Sequence, residues 1–93
     1  DREASDCYEK ALAISHELEN LQQEGIALQG LGKVFCMNKD YQNAINNFHK
    51  SLIIAKKINN KEQIGISLLN IGNVYQDLQK NKIAIKYYLN SLE

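Results

Sequence analysis

The sequence predicts an all-α chain, a solenoid of stacked antiparallel helix hairpins with about five helices, and three observations carry that prediction. The chain repeats itself at a spacing of forty residues: Gly25-Ile26-Ala27-Leu28 returns as Gly65-Ile66-Ser67-Leu68, Leu31-Gly32 as Ile71-Gly72, Val34-Phe35 as Val74-Tyr75, and Ala44-Ile45 as Ala84-Ile85. The N-terminal segment shares the frame in three copies, Ala4, Ala44 and Ala84, then Tyr8, Phe48 and Tyr88, then Leu12, Leu52 and Leu92. A fixed period of this length marks an array in which each unit buries its apolar face against its neighbours. Within each unit the apolar spacing is helical, and the chain contains no proline, so no hard breaker interrupts the helices.

Taken in order, the first helix, about residues 2–18, carries Ala4, Tyr8 and Leu12 and is of a type we label B. The second, about 22–37, is of type A: Leu28, Leu31 and Phe35 fall at i, i+3 and i+7 and form one apolar stripe. Asn20 precedes it with Gln23 three residues on, the spacing of a capping box. The third, about 41–58, is again B, with Tyr41, Ala44, Ile45, Phe48, Leu52 and Ala55, and follows the polar turn Asn38-Lys39-Asp40, in which Asp40 is the N-cap. The fourth, about 62–77, repeats A through Leu68, Ile71 and Tyr75, with Asn60 and Gln63 as the second capping box. The fifth, about 81–92, repeats B through Ala84, Ile85, Tyr88 and Leu92 after the turn Gln79-Lys80-Asn81.

Gly32 and Gly72 fall in mid-helix, where glycine costs roughly 1 kcal/mol relative to alanine. The same cost at the same place in both units predicts close backbone approach. Ala44, Ala84, Ser51 and Ser91 keep that approach possible while Phe35, Tyr75, Phe48 and Tyr88 fill the space between A and B. The expected organisation is one array over 1–93, with 1–18 a B helix of a preceding repeat and 22–58 and 62–93 two repeats. The chain starts at Asp1 without methionine or signal pattern, which reads as an excerpt of a longer protein.

Composition narrows the function. A content of 44% hydrophobic and 24% charged residues points to a soluble globular segment, and no apolar run approaches the roughly 20 residues of a membrane helix. Formal charge is zero, yet residues 1–24 hold seven acids against two bases and residues 25–64 six lysines against two acids. Lys56, Lys57 and Lys61 are expected near a helix end, where cations suit the dipole; without interleaved aromatics or arginines they do not read as a nucleic-acid surface. Cys7 and Cys36 lack metal-site spacing and are expected as free, partly buried thiols of a reducing, cytoplasmic setting. His16 and His49, expected as exposed helix residues, have no HExxH pattern, phosphate loop or nucleophile elbow around them, so neither catalysis nor a cofactor is expected.

The set Leu28, Leu31-Gly32, Phe35, Ala44, Phe48, Ser51, repeated as Leu68, Ile71-Gly72, Tyr75, Ala84, Tyr88, Ser91, resembles the tetratricopeptide repeat over essentially the whole chain. Three features depart from the family pattern: the period is 40 instead of 34, the proline closing helix B is missing, and Lys39 and Gln79 replace the glycine between A and B. The longer period looks like the extended variety of peptide-recognising adaptors and sensors. The resemblance implies a right-handed α-solenoid whose A helices line a concave groove. Carried over position by position, the groove residues would be Gln29, Lys33, Cys36 and Met37 from one unit and Leu69, Asn70, Asn73, Gln76 and Asp77 from the other, with Met37 packing at the hairpin turn. An asparagine amide offers donors and an acceptor to a peptide backbone, and Lys33 a cation to a carboxylate. The implied function is a protein interaction module that binds a peptide or helical segment within a larger signalling or scaffold protein. A structural spacer or self-association segment is the alternative, with the exposed terminal faces as its surface.

Overall fold

The computed structural model describes residues 2–17 and 20–92 and forms five helices: α1 (Arg2–Glu17), α2 (Leu21–Met37), α3 (Tyr41–Lys57), α4 (Lys61–Asp77) and α5 (Asn81–Ser91). The expected end of the first helix at residue 18 and the side chain of His16 lie outside the described residues. Each helix packs on the next in the chain, α1 on α2, α2 on α3, α3 on α4 and α4 on α5. Contacts that skip one helix also occur: His49 of α3 meets Tyr87 of α5, and Gln29 of α2 bonds Ser67 of α4. The B helices α1, α3 and α5 therefore form one layer and the A helices α2 and α4 the other. The short dimension of 14 Å agrees, since two helix layers about 10 Å apart with about 2.3 Å of Cα radius on either side need about that much.

The three turns that follow α2, α3 and α4 are built alike. In each, the helix is closed by two backbone bonds of the Schellman type: Lys39 N–H to Cys36 O (2.9 Å) and Asp40 N–H to Phe35 O (2.8 Å), then Asn59 to Lys56 and Asn60 to Ala55, then Gln79 to Gln76 and Lys80 to Tyr75. Lys39, Asn59 and Gln79 take left-handed φ values of 60°, 58° and 61°, the conformation for which glycine is the usual residue. The residue that ends each motif also begins the next helix. Asn20 and Asn60 accept from the backbone N–H of Gln23 and Gln63 at 3.2 and 3.1 Å, and Asp40 binds Asn43 through backbone and side chain. Lys80 has no side chain suited to the cap and makes no such bond.

The capping box expected at Asn60 is half formed. Its N–H already donates to Ala55 O, so Gln63 has nothing to reach back to, and the Gln63 amide is buried against α2 instead.

The core joins Ala44, Phe48 and Leu52 of α3 to Leu68, Ile71 and Val74 of α4, with Tyr41, Ile45, Phe35 and Tyr75 packed around it. Gly32 and Gly72 do mark close approach, but chiefly of a ring. Phe48 covers Gly32, where an added Cβ would lie 2.5 Å from Cε1, and Tyr88 covers Gly72 at 2.8 Å. Gly30, unremarked in the sequence because its repeat mate is Asn70, accommodates the ring of Tyr8 from α1 in the same way. A chain of hydroxyls ties three helices beneath the surface: Gln29 Nε2 donates to Ser67 Oγ, Ser67 Oγ to Ser51 Oγ and Ser51 Oγ to Gly25 O. Ser51 and Ser67 are fully buried, so each hydroxyl needs its partner.

Candidate functional site

The face of α2 and α4 turned away from the B layer carries the candidate site. Around a helix, each residue advances about 100°, which sets Ile26, Lys33 and Met37 nearly opposite the buried Leu28 and Leu31, and Ile66, Asn73 and Asp77 nearly opposite Leu68 and Ile71. A cleft of about 300 Å³ opens between the N-terminal halves of α2 and α4, lined by Gln22, Ile26, Gln29, Gln63 and Ile66 among others. Ile26, Ile66 and Leu69 are 47%, 37% and 44% exposed, three aliphatic side chains left in solvent on helices whose other stripe is buried.

The residues expected to line the groove divide into three groups. Lys33, Leu69 and Asp77 are exposed on this face. Gln29 sits at its floor, partly buried, with its amide committed to Ser67 of the neighbouring A helix. Asn70 is partly buried, and its Nδ2 is buried with no hydrogen-bond partner among the described residues. Asn73 and Gln76 are exposed but engaged: the Tyr88 hydroxyl of α5 reaches Asn73 Oδ1 at 2.7 Å and Gln76 Oε1 at 2.6 Å. A phenol has a single proton, so it donates to one amide oxygen at a time.

Cys36 lies partly buried near the C-terminal end of α2. Burial pushes its thiol up from the ordinary range, and the negative charge of Asp77 on α4 adds to that. Met37 does not pack at the hairpin turn. It is well exposed, because the turn follows the Leu28 stripe and Met37 falls on the opposite side of α2. His49 is partly buried, meeting the Tyr87 ring edge-on at 6.3 Å, while Tyr87 stacks on Tyr75 at 5.6 Å. Burial, and secondarily Tyr75, raise the Tyr87 hydroxyl pKa.

Ile26, Ile66 and Gln63 were not anticipated on this face. The two isoleucines were legible as repeat mates one residue after Gly25 and Gly65, out of step with the buried stripe. Spacing alone gives Gln63 a capping role, whereas the Asn60 N–H is already engaged by Ala55 O and Gln63 lines the cleft instead.

The tetratricopeptide repeat family model matches residues 23–93, well over half of the chain. The chain belongs to the tetratricopeptide repeat family. No curated protein and no solved structure matches it significantly. The tetratricopeptide match covers α2 to α5 and begins at the first turn of α2. Repeats of this family are generally non-catalytic modules of protein–protein interaction. Among the described residues no group of three or more histidine, cysteine or acidic side chains is arranged to hold a metal ion, and no helix is long and apolar enough to cross a membrane.

Proposed function

We propose that this array is a peptide-binding module which holds an extended or helical segment of a partner protein in the A-helix groove, as part of a larger cytoplasmic signalling or scaffold protein of the extended-repeat variety. The observation that carries the reading is the aliphatic trio Ile26, Ile66 and Leu69, exposed beside a cleft whose remaining lining is largely amide. Such a surface combines apolar pockets with donors and acceptors for a peptide backbone, the two ingredients of peptide recognition. Asn70 holds a buried amide N–H without a partner beneath this face, and Lys33 and Asp77 supply charges of opposite sign at the groove margin.

The test is a pull-down comparing wild type with Ile66→Asp/Leu69→Asp, with Asn70→Ala/Asn73→Ala, and with Asn46→Asp, at an exposed position of α3 outside every cleft described, as control. Circular dichroism first establishes equal folding. A partner lost with the first two variants and kept with the third supports the groove; a partner retained by both groove variants refutes it.

A second reading, self-association, is favoured by one contrast. Leu52 is 7% exposed because α4 covers it, whereas its repeat mate Leu92, just after α5, is 82% exposed, and Ile85 and Leu89 of α5 are exposed as well. Sedimentation over a range of concentrations, with Leu89→Lys/Leu92→Lys as comparison, tests it. A concentration-independent monomer excludes it.

A further inference from the structure

The B-helix layer leaves two clefts at equivalent places in the repeat. Between α1 and α3, over α2, lies a cleft of about 540 Å³ with buried Leu28 at its base, Leu12 and Ile53 at its sides, and Glu9, Glu24 and Lys50 among its lining. Between α3 and α5, over α4, lies one of about 360 Å³. Leu68 takes the place of Leu28 there, Ile64 that of Glu24, and Asn90 that of Lys50, while Lys56 and Lys61 complete the lining. Leu28 is nearly opposite Ile26 around α2, so these clefts lie on a different face from the groove.

The fold requires only the leucine at each base. It does not dictate the charges, which among the described lining residues are reversed: two carboxylates against one ammonium in the first cleft, two ammonium groups and no carboxylate in the second. Helix stabilisation does not explain the second set. Lys56 in the last turn of α3 suits the helix dipole, but Lys61 is the first residue of α4, where the dipole is positive and a cation is disfavoured. The sequence grouped these two lysines at one favourable helix end; the structure separates them onto two helices and turns both toward one cleft. Ile53, 65% exposed at the side of the acidic cleft, is likewise unexplained by packing within the chain.

We propose that the B-helix face is a second docking surface, for an extended partner segment that sets a basic side chain in the α1–α3 cleft and an acidic side chain in the α3–α5 cleft. Lysine and glutamate suit such sites because each lays an aliphatic stem on an apolar base and leaves its charged tip at the rim. Opposite rim charges one repeat apart also fix the direction in which the segment lies.

Two small probes test the assignment on the intact chain: n-pentylammonium, which resembles a lysine side chain, and pentanoate, which resembles a glutamate. Methyl and amide NMR resonances report which cleft responds. Pentylammonium is expected to move Leu12, Leu28 and Ile53, and pentanoate Ile64 and Leu68. In Lys56→Glu/Lys61→Glu, whose altered side chains are solvent-exposed, the pentanoate response should be lost and a pentylammonium response gained in the same cleft. Ile66→Asp in the groove should leave both responses unchanged, so that this surface stands or falls apart from the groove. Equal response of both clefts to both probes, no response in either, or a pentanoate response that survives the charge reversal overturns the proposal.

Discussion

Replacing Gly32 by alanine sets two known effects against each other, and the structure decides between them. Helix propensity favours the substitution by roughly 1 kcal/mol, because alanine loses less backbone freedom in a helix than glycine. Against it, the new methyl would lie 2.5 Å from Cε1, 2.7 Å from Cδ1 and 2.9 Å from Cζ of Phe48. That ring is 1% exposed and packed with Leu52, Leu68, Ile71 and Val74, so it has no solvent side to retreat to. Overpacking of a filled core costs about 1–3 kcal/mol, and a clash with three ring atoms belongs at the upper end. The net expectation is a loss of about 2 kcal/mol, which for a chain of this size lowers Tm by roughly 8–16 °C.

Urea unfolding followed by helical circular dichroism measures the difference directly. Gly65→Ala is the internal comparison: among the described residues its new methyl would meet only the Ser91 carbonyl oxygen, at 3.3 Å, near the end of α5, so the propensity gain should largely survive and stability should hold or rise. Gly32→Ala/Phe48→Leu should recover part of the loss of Gly32→Ala, because the smaller side chain vacates the ring edge, and the two effects should be non-additive. A Gly32→Ala protein as stable as wild type, or more so, would refute the account of this glycine as a seat for the ring.

The turns make a second prediction: Lys39→Gly and Gln79→Gly should each stabilise by about 0.5–1 kcal/mol, since both residues have positive φ, and Asn59→Gly by less because asparagine tolerates that conformation; a fall in urea midpoint for both would show the turns to be held by side-chain contacts instead. Lys80→Asp should supply the missing cap of α5 and stabilise by about 1 kcal/mol, and a thermal melt without any rise would contradict the cap assignment. Cys36 should react with a thiol reagent more slowly than the exposed Cys7, and Asp77→Asn should speed it, because burial first and Asp77 second hold its thiol protonated. The matching stability contribution has a fixed sign: with the folded pKa raised above that of an ordinary thiol, it is fully present below the ordinary thiol pKa and is lost as pH rises through the folded value, so Cys36→Ser should reduce the loss of stability in that alkaline window.

The fold was legible in the sequence to within a residue or so at most helix ends among the described residues, and the reason is redundancy. Each boundary was stated twice, by Asn20 and Asn60 for the A helices and by the polar turns for the B helices, and the forty-residue frame bound the statements together. What it hid was double duty. Asn60 ends one helix and caps the next, so a capping box read from spacing alone assigns Gln63 a bond whose donor is already engaged. Gly30 was hidden by the same redundancy turned round: it has no glycine mate, and its reason for being small is Tyr8, two helices' worth of packing that no local pattern expresses.

The candidate site was less legible, because groove residues have no periodicity of their own beyond the helix that carries them. A single hydroxyl illustrates the limit. Phe48 and Tyr88 are repeat mates and both cover a glycine, which the sequence conveys; but the phenol oxygen that distinguishes them reaches across to Asn73 and Gln76, two of the amides expected to be offered to a ligand. In the first unit the corresponding positions are Lys33 and Cys36, and the corresponding ring, Phe48, has no hydroxyl. The two halves of the groove thus differ in what they present: the first a cation and a partly buried thiol, the second a pair of amides already held in place by α5. Holding them has a favourable side, since amides fixed before binding lose less rotamer entropy when a ligand arrives. Tyr88→Phe separates the alternatives. If the tyrosine orients the amides for a ligand, the variant binds the partner more weakly; if it competes for them, the variant binds more tightly, and an unchanged affinity removes Asn73 and Gln76 from the site.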